Sequence, residues 1–348
     1  MTGNSSNINF SDEDVIRLAK ELYGIDVSVK PLDSYIDRNF YLTDEKGNRF
    51  VFKIVNADEK RENLEAQNQA MEYIARHNRT VKCPGVCTTL TGEQITPIKS
   101  PAGTTHLVRM LTYLPGTILA YVDSPAPELM ENFGHFLGSM VKTLEGFSHH
   151  ALNGYHTWDT KHTGDLGDYV DYIENLQQRN MVRHVLQQFE IFVVPVLPGL
   201  RCSVIHNDAN DFNVLVSEDQ KKVTGIFDFG DMVHTCTVFE PAIAAAYAVH
   251  RKDNPLETAS RLVGSFHKVY PLTEPELAVL FYSMCSRLCA TVTMSAYLCS
   301  FDPGNEYLKV SVQPALDALE KLVDIDPHRV HNAFREACQC LHHLKTRV

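Results

Sequence analysis

No Gly-x-Gly-x-x-Gly run precedes Lys53; only Gly3, Gly24 and Gly47 occur before it, which excludes a conventional glycine-rich cover over bound phosphates. The chain also lacks a basic footprint. Its 32 Lys and Arg stand against 43 Asp and Glu, a net charge of -11, and no cluster of positive residues offers a nucleic-acid surface. Cysteine occurs nine times, an odd and scattered number. Neither Cys83 with Cys87 nor Cys285 with Cys289 has Cys-x-x-Cys spacing, so structural zinc is not expected and reduced, cytoplasmic thiols are. Residues 1–10 show neither the basic nor the apolar region of a signal peptide. Residues 277–301 approach membrane length, but Arg287 sits near their centre and Ser, Thr and Cys recur, so a buried helix and no membrane partner are expected. Low-complexity tracts are missing too.

What remains is an ordinary globular composition, 44% hydrophobic and 22% charged over 348 residues, a length that favours two lobes over one core. Ser11 and Asp14 form a capping-box start, Val15, Leu18, Ala19 and Leu22 keep helical spacing, and Gly24 suits the stop. Strand-like runs follow at residues 27–29, 39–43 and 49–55, the last two joined by a turn through Asp44 and Gly47. Residues 64–77 read as a helix and 105–113 as a strand ending at Leu114, Pro115 and Gly116. That hinge divides the chain into residues 1–114 and 115–348. In the second part, Leu129, Phe133, Phe136, Leu137, Met140, Val141 and Leu144 form one buried helical stripe. Further helices are expected from about Tyr169, Met181, Glu240, Leu256, Glu274, Asn305 and Pro327, with only two short strands, at residues 213–217 and 223–227. The class is α+β: a protein-kinase-like, bilobal fold with a small antiparallel sheet first and a mainly helical part second.

The densest chemical signal is His206, Asn207, Asp208 and Asn213, followed fifteen residues later by Asp228, Phe229 and Gly230. Phosphoryl transfer asks little covalent help from a protein: a hydroxyl is aimed in line, and phosphate charge is met by metal and cations. Asp208 is the expected catalytic residue, orienting or accepting the hydroxyl proton, with positioning weighing more than basicity. Asn213, five residues on, and Asp228, after an apolar run, are the expected Mg²⁺ ligands. His206 braces the loop. Lys53, inside Phe50, Val51, Phe52, Ile54 and Val55, is assigned to the nucleotide phosphates, with Glu65 preferred to Glu62 as its acidic partner. Ser34, Asp37, Arg38 and Asn39 occupy the turn where the glycine loop would lie, and Met110, Leu111 and Tyr113 belong to the segment that would meet the base. Only nine residues separate Gly230 from the helix expected at Glu240, too few for an activation segment, so a small-molecule acceptor is expected rather than a peptide. A nucleotide-binding module without turnover is the non-enzymatic alternative.

With His-x-Asp, Asn and a following metal Asp met by His206, Asp208, Asn213 and Asp228, the chain resembles the aminoglycoside phosphotransferase and choline kinase-like family from about Val15 to Leu344. More narrowly, residues 34–40, 65–71, 133–152, 158–159 and 205–247 resemble a branch of that family acting on a hydroxylated amino acid. That resemblance implies GTP-dependent phosphorylation of the side-chain hydroxyl of 5-hydroxy-L-lysine in cytoplasmic amino-acid breakdown. ATP stays open as donor, and another small hydroxylated amine or amino acid as acceptor. Such a substrate favours acidic groups and an aromatic face, for which Trp158, Asp159, Asp231 and Glu240 are candidates. Arg287, alone in an apolar helix, needs a carboxylate, either the substrate's or one from a neighbouring helix. The histidines at 149, 150, 156 and 162 are unevenly spaced and read as loop positions rather than metal ligands.

Overall fold

A computed structural model of the chain describes residues 8–32, 34, 36–123 and 125–339. Tyr35 and Leu344, which fall within the resembling stretches, lie outside the described residues. The chain divides into two compact units, Met1–Pro115 and Gly116–Val348.

In the first unit, α1 (Asp12–Tyr23) opens with the expected reciprocal cap between Ser11 and Asp14 and closes at Gly24, whose φ of 70° needs the freedom of glycine. Strands β1 (Val27–Leu32), β2 (Arg38–Asp44), β3 (Arg49–Ile54), β4 (Thr96–Lys99) and β5 (Thr105–Thr112) form an antiparallel sheet ordered β1-β2-β3-β5-β4. β4 is an addition to the expected strands. The β2–β3 turn is set by Asp44, whose Oδ1 accepts from the N–H of Lys46 and Asn48, and by Gly47 at φ 81°. Alternation then gives the sheet two faces. Phe40, Leu42, Phe52, Ile54, Val108 and Met110 pack with Val15, Leu18 and Ala19 of α1. The intervening positions place Asn39, Lys53 and Arg109 in one cross-strand row on the opposite face. Helix α2 (Arg61–His77) supplies Asn68 and Gln67, whose side-chain oxygens accept from the Arg109 guanidinium. Those contacts offset the cost of placing two cations directly opposite each other in a ladder.

The second unit holds α3 (Pro127–Leu144), α4 (Leu176–Phe192), α5 (Phe239–Ala248), α6 (Pro255–Val269), α7 (Glu274–Cys299), α8 (Val312–Leu322) and α9 (Pro327–Gln339). The helix expected from Tyr169 is instead a pair of 3₁₀ stretches, Thr160–Asp168 and Val170–Tyr172; α4 starts at Leu176 because Asn175 Oδ1 accepts from the N–H of Gln177 and Gln178. At Asn305 the helical segment is the 3₁₀ turn Glu306–Lys309, ahead of α8. The expectation of only two strands is corrected as well. Besides β8 (Val214–Val216) and β9 (Val223–Ile226), the unit has β6 (Thr117–Ile118), paired with β8, and the pair β7 (Cys202–Ile205) and β10 (Val233–Cys236). These are two to four residues long, too short for periodicity to reveal.

Helix α7 is long and apolar enough to cross a membrane, yet 72% of its apolar window is buried inside the protein. Helices α3 and α6 cross through glycine. A Cβ on Gly134 would lie 2.0 Å from the carbonyl oxygen of Leu262, and one on Gly138 2.9 Å from that of Phe266. Gly134→Ala is therefore expected to destabilise the protein by about 2–3 kcal/mol, the cost of overpacking a fixed backbone contact. Urea unfolding measures this; a change below about 0.5 kcal/mol, within the usual range for surface substitutions, would mean that the helices do not approach this closely.

Candidate active site

Asn213 stands just before β8 and Asp228 just after β9. Val214 lies opposite Ile226, and the Phe227 N–H donates to the Asn213 carbonyl at 3.0 Å. The hairpin thus brings two residues fifteen apart to the same end. Asp228 turns out of the strand at φ 61°, a left-handed conformation that costs a non-glycine residue about 1–3 kcal/mol and is held where surrounding contacts enforce it.

Strand β7 delivers the catalytic loop. Its partner β10 begins two residues after Asp231, so one short ladder anchors the chain on either side of both motifs. Asn207 is also left-handed, at φ 65°, a conformation asparagine tolerates better than most. Its N–H donates to Glu240 Oε2 at 3.0 Å and its Nδ2 to the Trp158 carbonyl at 3.3 Å. The next residue, Asp208, is held by three donors. Arg287 Nη2 reaches Oδ1 at 2.7 Å, while Asn210 Nδ2 and Asn213 Nδ2 reach Oδ2 at 2.9 and 2.7 Å. Asn210 in turn accepts the N–H of Phe212 and Asn213, a side-chain turn that shapes the loop. His206 completes the brace. The Asp208 N–H donates to its Nδ1 at 3.3 Å, which leaves Nε2 to donate to the Phe227 carbonyl at 3.1 Å, linking the loop to the residue before Asp228.

Burial dominates the electrostatics. It pushes the Asp208 carboxyl up, to about 7, against the Arg287 guanidinium; Asp231 and Asp228 push the same way as burial. Burial likewise lowers His206 to about 4, keeping it neutral as a brace, and raises Glu240 to about 7.

Among the described residues, no group of three or more His, Cys, Asp or Glu side chains could hold a metal. The donor set fits an ion that arrives with its own ligands. Asn213 Nδ2 is committed to Asp208, so Oδ1 is the atom it can offer a cation, beside the exposed Asp228. One amide oxygen and one carboxylate suit Mg²⁺, which retains waters and shares phosphate oxygens instead of demanding a full protein cage.

In the first unit Lys53 is 9% exposed, with Asp37 Oδ2 at 4.0 Å from its Nζ. Glu65 does not take the expected part as its partner: it accepts from Arg61 Nε at 3.0 Å and is about half-exposed on α2. The reason is local, since the i,i+4 arginine captures the carboxylate. Asn39, opposite Lys53, donates through Nδ2 to Ser34 Oγ at 3.1 Å. Met110 points into the α1-facing core, away from the Lys53 face, and its carbonyl accepts from Cys87 N–H. Leu111 lies on the Lys53 side, and the Tyr113 ring packs edge-on to Tyr41 with the Arg49 guanidinium 5.0 Å from its centroid.

The acceptor candidates separate into those near Asp208 and those holding the frame. Trp158 lies with its ring 5.3 Å from the Arg287 guanidinium, and its carbonyl accepts from Arg287 Nη1 at 3.2 Å. Asp231 is one-third exposed, with His156 Nε2 at 3.4 Å. Glu240 and Asp159 are placed otherwise than expected: Glu240 is fully buried and fastens Asn207, while Asp159 is 2% exposed, accepts from Thr235 Oγ1 at 2.8 Å and pairs with Lys161 at 3.0 Å. Arg287 meets Asp208 rather than a carboxylate of a neighbouring helix. Asn210 and Tyr247, whose hydroxyl accepts from Arg287 Nε at 3.3 Å, were not among the sequence candidates. For Asn210 the Asn-x-x-Asn turn spacing was the available signal; for Tyr247 there was none. His149 and His150 stack at 4.6 Å, and His162 packs on Tyr155.

Residues 28–273 match the phosphotransferase enzyme family. Hydroxylysine kinase of Danio rerio is 30% identical over 97% of this chain and 99% of its own length, and that of Mus musculus 31% identical over 95% and 94%. Among solved structures, amicoumacin kinase in complex with AMP-PNP and Ca²⁺ superposes with a TM-score of 0.70 at 16% identity, covering 92% of this chain and 97% of that one. The fold is that of small-molecule kinases.

Glu240 gives the site a pH signature. Its folded pKa is raised from 4.5 to about 7, so the folded state binds the proton more tightly than the unfolded chain and stability falls as pH rises through that window. At about 1.4 kcal/mol per pKa unit, the shift is worth on the order of 3 kcal/mol. Glu240→Gln keeps an acceptor for Asn207 and removes the titration. Its stability relative to wild type is expected to rise between about pH 5 and pH 8, read by urea unfolding across that range; a difference independent of pH would contradict the assignment.

Proposed function

This chain belongs to the phosphotransferase enzyme family, and from that membership we propose that it transfers the γ-phosphoryl group of GTP to the side-chain hydroxyl of 5-hydroxy-L-lysine. The observation that carries the reading is the convergence of Asp208, Asn213 and Asp228 at one end of the β8–β9 hairpin, in a chain about 30% identical to hydroxylysine kinases over nearly its whole length. Asp208 accepts the hydroxyl proton as the oxygen attacks phosphorus. The Asn210, Asn213 and Arg287 donors fix the carboxylate's direction. Asn213 and Asp228 would hold Mg²⁺, which when bound offsets negative charge on the phosphates. Lys53, buried in the first unit, is the cation that the family resemblance assigns to nucleotide phosphate. GTP as donor, and a place in cytoplasmic amino-acid breakdown, rest on the resemblance to the hydroxylysine-directed branch.

Incubation of the protein with Mg²⁺, 5-hydroxy-L-lysine and either GTP or ATP, followed by ³¹P NMR and mass analysis, tests the reading. A phosphomonoester of the amino acid, one per nucleoside diphosphate and faster with GTP, is expected. Nucleotide binding without product from either donor would favour a module that has lost turnover.

A further inference from the structure

Arg287 does more than the mechanism above requires. A permanently charged guanidinium beside a base lowers that base's affinity for a proton, and a neutral amide would hold Asp208 without that cost. The residue is 4% exposed in the middle of α7, where a cation is expensive to keep. Its surroundings show what it is built for. Of the five N–H donors of a guanidinium, three are matched: Nη2 to Asp208, Nη1 to the Trp158 carbonyl and Nε to the Tyr247 hydroxyl. One N–H on each terminal nitrogen is left. The Trp158 and Tyr247 rings lie 5.3 and 5.7 Å from the guanidinium carbon, and Arg287 itself lines a small pocket together with Trp158, Thr160, Ser286 and Ala290.

We propose that Arg287 reads the carboxylate of the amino-acid acceptor, and so acts as the specificity-determining residue of the site. The proposal rests on the reading of the chain as an amino-acid kinase. The two remaining N–H groups suit a carboxylate, which takes hydrogen bonds from a guanidinium better than from any other side chain. Asp208 Oδ1 sits 2.7 Å from the same guanidinium. The acid group of an acceptor bound there is therefore a short aliphatic chain away from the base that activates its hydroxyl. Recognition and alignment become one contact: an acceptor with a carboxylate fills the donors, and one without it leaves them buried and unmatched.

The test compares 5-hydroxy-L-lysine with its decarboxylated counterpart, a hydroxylated diamine, as acceptors for wild type, Arg287→Gln and Arg287→Lys. Wild type is expected to favour the amino acid by at least ~100-fold in kcat/KM. In Arg287→Gln that preference falls below about tenfold through a rise in KM for the amino acid alone, while kcat drops alike for both acceptors as Asp208 loosens. Arg287→Lys keeps a buried cation and loses the fork, and its preference is expected to fall by at least about tenfold; it keeps the test readable if the glutamine variant does not fold. An unchanged preference in the variants, or none in wild type, would overturn the proposal and leave the kinase reading standing. Phosphorylation of neither acceptor by wild type would overturn both.

Discussion

The second unit is organised by the problem of keeping one carboxylate aimed in a buried, strongly acidic neighbourhood. Asp208 shares its surroundings with Asp228, Asp231 and Glu240, and each added negative charge there raises the free energy of the others. The Arg287 guanidinium at 2.7 Å and the amides of Asn210 and Asn213 supply the opposing interactions. A carboxylate accepting charge-assisted hydrogen bonds in a low-dielectric setting is held far more firmly than one in water. Much else follows. Helix α7 carries a cation through its apolar middle with Asp208 there to meet it, and the Trp158 segment lies against the loop through its carbonyl, which accepts from both Asn207 and Arg287.

The same constraint explains the backbone strain at two residues of the site. Asn207 and Asp228 both adopt positive φ, at the two points where the chain must turn a side chain out of a short strand. Each is over-determined. Glu240 binds the Asn207 N–H from a fully buried position, and His206 bridges the Asp208 N–H to the Phe227 carbonyl, one residue before Asp228. The neutral, buried imidazole suits this task, since a charged ring would add a desolvation cost and would have no acceptor nitrogen for the Asp208 N–H.

Much of this was legible in the sequence. The Ser11 cap, the Gly24 stop, the Asp44 to Gly47 turn and the apolar stripe of α3 are local signals, and the structure has them where the periodicity places them. The motif spacing also transmits directly, because Asn213 and Asp228 bracket a hairpin whose two strands can be read from their apolar runs. What the sequence hid was long-range. β7 and β10 pair across a gap of nearly thirty residues, Arg287 finds its partner 79 residues away, and Glu240 closes on a backbone N–H that no pattern announces. Glu65 illustrates the opposite error: helical position suggested a role beside Lys53, and a neighbouring arginine one turn away took the carboxylate.

The central claim is that Asp208, fixed by Arg287 and two amides, takes the proton from the attacking hydroxyl. Single-turnover phosphoryl transfer by Asp208→Asn, an isosteric change that can keep the loop's shape, tests it most directly. The account predicts that the chemical step slows by about 10²–10⁴-fold while nucleotide affinity is retained. A rate within about threefold of wild type, far short of what a lost general base costs, would contradict it.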